Sequence, residues 1–300
     1  MKIAAVIINW NNPLDTEKCV LSISSWTQLL PSIWVVDNAS QDGNRQIYAS
    51  RYPQVHYIYS GINKGFAGGN NLAIEQIQNQ VSSDAILLIN NDASISEENI
   101  RHLIKSFETE PQLGIVGPII DEIDGLHRHV SLGGKDISKY VHTRVCAKKN
   151  SQNEEKKLLH VDYVPGTIAL IRTNLFCVVG FLDEKYFFSG EMADFCERAR
   201  QKGFLCAINT NALATHQFDS TSTIRQTLYL YYNLRNRFLF ISKFRRAQKS
   251  YLYSFWIFYG TLMLILALLK FQGKKAKAIV LALIHGILGK FGNQNDKFLS

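Results

Sequence analysis

Closely spaced cysteine pairs are absent from this 300-residue sequence, which argues against a structural zinc site. The cysteines are also odd in number, so they do not form the closed set of disulfides typical of a small secreted domain. We therefore expect free thiols in a reducing compartment. The five are Cys19, Cys146, Cys177, Cys196 and Cys206.

Acidic residues are almost absent from the last part of the chain. Residues 221–300 hold 13 Lys and Arg against a single acid, Asp296, which gives a net charge of +12. Residues 1–220 hold 20 Lys and Arg against 24 acids, which gives −4. The overall charge of +8 therefore does not indicate a uniformly basic, nucleic-acid-binding protein. Because the basic segment contains a long apolar run, we expect an anionic membrane surface as its partner, and no nucleic acid.

Charged residues are missing from residues 250–269, a run long enough to span a bilayer as a helix. Both flanks of this run are basic, however, whereas spanning segments usually have a one-sided bias. The next apolar run, residues 278–288, is too short to cross. We predict a helical pair that lies in the membrane plane or re-enters it. Soluble helices packed on the body are the alternative.

Glycine and basic residues are both missing from residues 9–13, the turn after the first predicted strand. A dinucleotide-dependent dehydrogenase needs its glycines in that turn. A sugar-1-phosphate nucleotidyltransferase, which has a related sheet, is expected to carry a glycine-rich, basic loop there. Both enzyme classes are therefore disfavoured. The glycines come instead after the third predicted strand.

The first half of the chain alternates apolar runs of strand length with segments of helical periodicity. The apolar run at residues 3–8 is too short for a signal peptide and is expected to be a strand. A capping box at residues 94–97 is expected to open one helix. This order predicts an α/β fold with a mostly parallel sheet flanked by helices. Strands are predicted at 2–9, 32–37, 55–59, 85–90 and 114–116, and helices at 16–26, 66–78 and 97–108.

The middle of the chain is less regular. Residues 147–157 are polar and have no period, which predicts a loop. Residues 158–172 resemble a strand interrupted at Pro165 and Gly166, and residues 191–202 are predicted to form a helix. From residue 226 onward, aromatic and basic residues alternate in a pattern that predicts a further helix.

Polar motifs follow four of the predicted strands, and parallel strands would bring them to one rim of the sheet, where ligands bind. A carboxylate there can accept hydrogen bonds from a base or ribose, and glycines let the backbone approach a phosphate. Asp92 is placed to fix a hard cation, because magnesium often needs only one or two carboxylates besides substrate phosphates. The motifs are Asn9-Trp10-Asn11-Asn12, Asp37-Asn38, Asn63-Lys64-Gly65-Phe66-Ala67-Gly68-Gly69-Asn70-Asn71 and Asn90-Asn91-Asp92.

Together and in this order, the motifs resemble those of glycosyltransferase family 2 proteins with a GT-A fold, particularly the bacterial rhamnosyltransferase-like branch. The resemblance runs from about residue 2 to about residue 240. It implies a GT-A catalytic domain at residues 1–222 and a helical, membrane-associating segment at residues 223–300. Further matches lie at residues 165–172, 180–184, 187–188, 198–200 and 232–237.

The resemblance also implies roles for individual residues. Asp37 would recognise the base or ribose, and Asp92 with His216 would hold Mg²⁺ or Mn²⁺ on the diphosphate. Gly166 and Thr167 would lie near the acceptor. The other implied nucleotide-sugar-binding residues are Asn9, Asn11, Asn38, Lys64, Gly65, Asn70, Asn71, Asn90 and Asn91.

The activity implied by the resemblance is an inverting transfer of a hexosyl or deoxyhexosyl group from a UDP or dTDP sugar. The acceptor would be a hydroxyl of a lipid-linked saccharide or a polysaccharide in cell-surface glycan synthesis. With the basic, apolar tail, we expect a peripheral or monotopic protein at the cytoplasmic face of the cell membrane.

One departure from the family pattern falls on the expected general base. The family usually has Glu-Asp-any-Asp where this chain has Glu191-Met192-Ala193-Asp194, and the second residue is the usual base. A thioether cannot take a proton from an alcohol. Glu191 and Asp194 would share a helix face, so both are candidates, with Glu191 favoured. The alternative is a catalytically impaired nucleotide-sugar-binding or membrane scaffold protein.

Overall fold

The computed structural model describes most of the chain, as secondary structure joined by short turns. The described residues are 1–41, 50–124, 127–145, 157–217 and 223–299. The strands are β1 (Ile3–Asn9), β2 (Ser32–Asn38), β3 (His56–Ser60), β4 (Ala85–Asn90), β5 (Ala93–Ile95), β6 (Leu113–Asp124), β7 (His127–Ser131), β8 (Leu158–His160), β9 (Ile168–Arg172) and β10 (Leu205–Gln217). The helices are α1 (Pro13–Ser24), α2 (Gly65–Gln80), α3 (Glu97–Thr109), α4 (Thr173–Val179), α5 (Glu191–Gln201), α6 (Thr223–Phe244), α7 (Lys249–Leu269), α8 (Gly273–Leu288) and α9 (Asp296–Leu299), with a 3-10 turn at Arg246–Gln248.

A single large sheet forms the centre of the described structure. Its main path runs β3-β2-β1-β4-β9-β6-β10-β5, with β7 paired to β6 and β8 paired to β10. Strands β3, β2, β1 and β4 run parallel to one another, β9 is antiparallel to both β4 and β6, and β6 is parallel to β10. The predicted α/β fold with a mostly parallel sheet is confirmed. The long strand β10 was not predicted, because its short and polar residues give little apolar signal.

The central strands are apolar along their length because helices cover both faces of the sheet. Successive side chains of β1 point to opposite faces, so Ala5 and Ile7 pack in one core layer with α1 and α3. Ala4 and Val6 pack in the other layer with α2 and α5. In the strand register, Asn9 lies opposite Asp37. The polar ends of β1 and β2 therefore meet at one edge of the sheet.

The start of α3 differs from the predicted capping box at residues 94–97. Ser94 belongs to β5, which pairs antiparallel with β10. Ser96 is the N-cap instead, and its side chain accepts a hydrogen bond from the Asn99 amide at 3.3 Å. The Glu97 carboxylate accepts from the amides of residues 27–29 at 2.7 to 3.0 Å. The capping-box prediction was wrong because Ser94 pairs within the sheet and the Glu97 side chain binds the loop before β2.

The cysteines in the described ranges are free thiols, as predicted. Cys19, Cys196 and Cys206 are buried, and Cys177 is exposed. Cys146 and most of the predicted loop that follows it lie outside the described residues, as does the domain boundary predicted at residue 222.

The C-terminal helices α6, α7 and α8 form one apolar cluster. Tyr231 and Phe238 of α6 pack with Trp256 of α7 and Ile279 of α8. Of the helices in the described ranges, only Arg246–Leu269 is long and apolar enough to cross a membrane, and 22% of its apolar stretch is buried. The other residues of that stretch are exposed or partly buried.

An apolar outer face, called here the hairpin face, runs along α7 and α8. Its members recur at intervals of three and four residues, which places them on one side of each helix. The hairpin face therefore remains uncovered by the rest of the described chain. Its exposed side chains are Tyr251, Phe258, Leu262, Ile265, Leu266 and Leu269 of α7, and Val280, Ile284, Ile287 and Leu288 of α8.

Candidate active site

Asp92 and His216 meet at the edge of the sheet where β4 ends. Asp92 lies in the turn between β4 and β5, and His216 lies in β10 opposite Ala93 of β5. The Asp92 Oδ1 and the His216 Nε2 are 3.0 Å apart, and both side chains are largely buried. The Gln217 amide donates to the Asp92 carbonyl at 3.0 Å. The structure thus brings together the two metal ligands that the family resemblance implied.

This pair suits a divalent cation that takes its other ligands from a substrate. A carboxylate oxygen and an imidazole nitrogen are both ordinary ligands of Mn²⁺, and Mg²⁺ commonly keeps several waters and phosphate oxygens. Within the described ranges, no three His, Cys, Asp or Glu side chains come together as a metal-binding group. Two protein ligands at the site fit a cation that is completed by a diphosphate.

Asp37 connects the ends of β1 and β2. Its Oδ1 accepts a hydrogen bond from the Ser40 amide at 2.9 Å, and its Oδ2 accepts from Asn9 Nδ2 at 3.3 Å. The Ser40 hydroxyl accepts from the amide of Asn11, which adopts a left-handed φ of 53°. These bonds fix the Asp37 carboxylate at the edge of the sheet. Asp37 also lines a small pocket with Tyr57 and other residues, and the sequence analysis did not single out that tyrosine.

The glycine-rich segment is the first part of helix α2, which begins at Gly65, one residue before the predicted start. A Cβ at Gly65, where φ is +69°, would lie 2.1 Å from the Phe187 carbonyl oxygen. The amide of the next residue, Phe66, donates to that same oxygen at 2.8 Å. Asn38 fixes this helix start, because it accepts from the Lys64 amide at 2.9 Å and donates to the Gly65 carbonyl at 3.0 Å. Only glycine allows this close approach.

The remaining asparagines of the motifs bind mainly to other parts of the protein. Asn70 donates to the Phe66 carbonyl at 2.9 Å. Asn71 accepts from the Leu182 amide at 3.1 Å and donates to the Leu182 carbonyl at 2.9 Å. Asn91 donates to the Thr16 hydroxyl at 3.0 Å. These contacts hold the walls of the site, and direct contact of these asparagines with a donor stays a prediction.

The predicted acceptor residues lie between β4 and α5. The Asn90 amide donates to the Thr167 carbonyl at 2.9 Å. A Cβ on Gly166 would lie 2.6 Å from the Phe66 ring and 3.1 Å from Met192 Cγ. Met192 is only 3% exposed and belongs to a core layer. The residue that occupies the usual position of the base is therefore a packed apolar side chain.

Glu191 is the first residue of α5 and follows Gly190, whose φ is +100°. Its side chain is buried, and its Oε2 atom has no hydrogen-bond partner among the described residues. Burial raises the pKa of Glu191 to about 7. A hydrogen bond from the Glu191 amide lowers this pKa by a smaller amount, and the nearby Asp194 charge adds to the rise. A buried carboxyl with a pKa near neutrality is matched to accepting a proton at neutral pH.

Asp194 is held in an ion-pair network with no solvent access. Its Oδ1 accepts from Arg198 Nε at 2.6 Å, and its Oδ2 accepts from Lys243 Nζ. Lys243 Nζ also lies 2.8 Å from an Asp183 oxygen. Both carboxylate oxygens are thus paired with cations, so the geometry favours Glu191 over Asp194 as the base. The local sequence gives no signal for Lys243, because its partners lie more than 40 residues away.

Residues 4–178 match the family model described as glycosyl transferase family 2. The chain belongs to that family. It is 27% identical over 240 residues to the low-salt glycan biosynthesis hexosyltransferase Agl10 of Haloferax volcanii. That alignment covers 79% of this chain and 74% of Agl10. It is 25% identical over 232 residues to an N-acetylglucosaminyl-diphospho-decaprenol L-rhamnosyltransferase of Mycobacterium tuberculosis, covering 70% and 74%. The chain is therefore a family 2 glycosyltransferase.

The fold of this family 2 glycosyltransferase is also that of a solved relative. The mannosyltransferase PcManGT of Pyrobaculum calidifontis, solved in complex with GDP-Man and Mn²⁺, superposes with a TM-score of 0.61 at 12% identity. The superposition covers 96% of this chain and 88% of that one, so it extends into the C-terminal helices. The GT-A-type fold predicted from the resemblance is confirmed.

Proposed function

We propose that this family 2 glycosyltransferase moves a hexosyl or deoxyhexosyl group from a UDP or dTDP sugar to a hydroxyl of a lipid-linked saccharide, with inversion. The observation that carries the proposal is the 3.0 Å approach of Asp92 to His216 at the edge of the sheet. That edge also carries Asp37 and the start of α2, so a nucleotide and a diphosphate can be bound side by side.

In the proposed reaction, Glu191 accepts the proton of the acceptor hydroxyl. The acceptor oxygen forms a bond to the anomeric carbon while the bond from that carbon to the phosphate oxygen breaks, and the nucleoside diphosphate leaves. A divalent cation, when held by Asp92 and His216, would neutralise charge on the diphosphate. We expect the apolar contact between Gly166 and the packed Met192 side chain to border the acceptor site.

The acceptor class is supported by the relatives and by the tail. The Mycobacterium tuberculosis relative is named for a diphospho-decaprenol acceptor and for rhamnose. The hairpin face of α7 and α8 offers this chain an apolar surface that can lie in the headgroup boundary of a membrane. The exposed Lys270, Lys274 and Lys277 at the turn of the hairpin would face anionic headgroups. We place this surface at the cytoplasmic face, where nucleotide sugars are available.

A binding or scaffold protein without turnover is the competing function, and Met192 at the usual base position is the observation that favours it. The two functions differ in nucleotide release. A panel of UDP and dTDP sugars, incubated with Mn²⁺ or Mg²⁺ and a lipid-linked acceptor, should give acceptor-dependent nucleotide release for one donor. Donor binding with no release from any donor would favour the scaffold and contradict the proposal.

A further inference from the structure

The turn that leads into Glu191 has an unusual backbone. Phe187 and Ser189 have φ values of 61° and 68°, in the left-handed region that L side chains rarely adopt. Gly190 follows with a φ of 100°. Such conformations persist only where the surrounding structure holds them. The groups that hold this turn therefore fix the position of Glu191.

Asn236 of α6 provides one of these groups. Its side-chain amide donates to the carbonyls of Tyr186, Phe188 and Ser189 at 3.0, 2.9 and 2.5 Å. Asn236 is almost completely buried, so water cannot replace these bonds. One side chain thus binds three carbonyls of the turn that leads to Glu191.

Arg235, the preceding residue, binds the start of the same turn. It is fully buried, and no carboxylate lies within ion-pair distance of it among the described residues. Its guanidinium donates to the carbonyls of Lys185 at 3.3 Å, Tyr186 at 3.1 Å and Gly292 at 2.8 Å. A buried cation without a counter-ion is costly, so its carbonyl partners must compensate for that cost. Its Nε also donates to the Asn236 side chain at 2.9 Å, which orients that amide.

The segment that follows α8 also binds the turn before Glu191. The Gly292 amide donates to the Lys185 carbonyl at 2.8 Å, while the Gly292 carbonyl accepts from Arg235. The turn is therefore held between α6 and the segment that returns from the hairpin. None of these contacts involves a predicted substrate-binding residue.

We propose that Arg235 and Asn236 are positioning residues for Glu191. They keep the turn at residues 185–190 in its left-handed conformation, so that the Glu191 carboxyl stays at a fixed place at the start of α5. This inference rests on the proposed role of Glu191 as the base.

Arg237 provides a matched control on the same helix. It is also buried, and it donates to the carbonyls of Ile137 and Tyr140 at 2.6 and 2.7 Å. Its guanidinium lies 3.9 Å from the Trp256 ring. It therefore makes the same kind of contact as Arg235, but its carbonyl partners lie at residues 137–141 and not in the turn at residues 185–190.

The experiment compares kcat and KM of the full chain and of the variants Arg235→Lys, Asn236→Ala, Arg237→Lys, Glu191→Gln and Asn236→Ala/Glu191→Gln. Misplacement of a catalytic group by about an ångström can cost roughly 100-fold, so we expect that loss in kcat for Arg235→Lys and Asn236→Ala, with little change in donor KM. Arg237→Lys should keep a kcat close to that of the parent chain. The double variant should be no slower than Glu191→Gln alone, because both changes remove the same function.

Each of four results would overturn the inference. If adding Asn236→Ala to Glu191→Gln lowered kcat further, the contacts would serve general packing. The same would follow if Arg237→Lys lowered kcat as much as Arg235→Lys or Asn236→Ala. If Glu191→Gln lost activity and neither turn variant did, the inference would fail while the proposed function stood. If Glu191→Gln kept full activity, the proposed base would fail first. Asn236→Ser, which keeps one donor, replaces the alanine variant if thermal unfolding shows that the latter does not fold.

Discussion

The α/β body and the C-terminal helices use their charges in opposite ways. In the body, polar groups collect at one edge of the sheet, where Asp37, Asp92 and His216 lie. In the C-terminal helices, several cations turn inward and bind the body: Arg245, for example, pairs with Asp136 at 2.8 Å and with Glu197 at 2.7 Å. The net charge of +12 therefore overstates the charge available to a membrane. Part of it binds acidic residues of the body.

The largest expected effect separates a buried acid at the start of α5 from an acid at the surface of the body. Glu191→Gln should lower kcat by roughly 100- to 10 000-fold, because a positioned base contributes about that much. Glu110→Gln, which changes a carboxylate paired with His160 at the surface, should leave kcat unchanged. Steady-state transfer to a lipid-linked acceptor provides the measurement. An unchanged kcat for Glu191→Gln would show that Glu191 is not the base.

The next effect concerns the contact between α5 of the body and α6 of the C-terminal helices. Asp194→Ala removes the carboxylate bound by Arg198 and leaves Lys243 paired with Asp183 alone, which should lower the free energy of unfolding by about 3 kcal/mol. Urea unfolding measures this loss. A variant of unchanged stability that had lost turnover would instead assign the base to Asp194.

A smaller effect follows from the raised pKa of Glu191. The ionised carboxylate is the base, so kcat/KM should rise as the pH increases through about 7. In the unfolded chain Glu191 ionises near pH 4.5, so between about pH 4.5 and pH 7 the folded state binds a proton that the unfolded state has lost. The folded state therefore loses stability as the pH rises through this range. Glu191→Gln should remove that loss, which raises the unfolding free energy by on the order of 3 kcal/mol at pH 8 and by little at pH 4. Equal effects at both pH values would contradict the assigned pKa.

The smallest effect tests the outward-facing charge of the tail. Lys274→Ala and Lys277→Ala should each weaken binding to anionic vesicles by about 1 kcal/mol, with the difference shrinking as salt is added. Lys105→Ala and Lys202→Ala, at exposed positions of the body, should not affect binding. Vesicle co-sedimentation distinguishes the two pairs. Equal weakening by both pairs would place the membrane surface elsewhere.

The sequence predicts the body well where structure follows from local pattern. Strands β1, β2 and β4 are covered on both faces, so they appear as continuous apolar runs with polar ends. The motif ends then meet because parallel strands share an edge. Residues of β10 gave little signal, since the strand alternates small and polar side chains, although it carries His216.

Long-range partners explain what local pattern could not predict. The pairing of Lys243 with Asp194 and the binding of Asn236 to the turn before Glu191 join segments that are more than 40 residues apart. Nothing in the local sequence identifies such partners. A polar pair inside an aromatic helix, as at Arg235 and Asn236, is the one signal that indicates a buried function there.

The most direct test of the central claim is the Mn²⁺ dependence of nucleotide release by the full chain and by Asp92→Asn. Asparagine keeps the shape of Asp92 but not its charge. We expect saturable activation of the parent chain by Mn²⁺ and a loss of roughly 100- to 10 000-fold in Asp92→Asn at every Mn²⁺ concentration, since charge stabilisation of several kcal/mol is removed. An Asp92→Asn chain with the turnover and Mn²⁺ response of the parent would contradict a cation shared by Asp92 and His216.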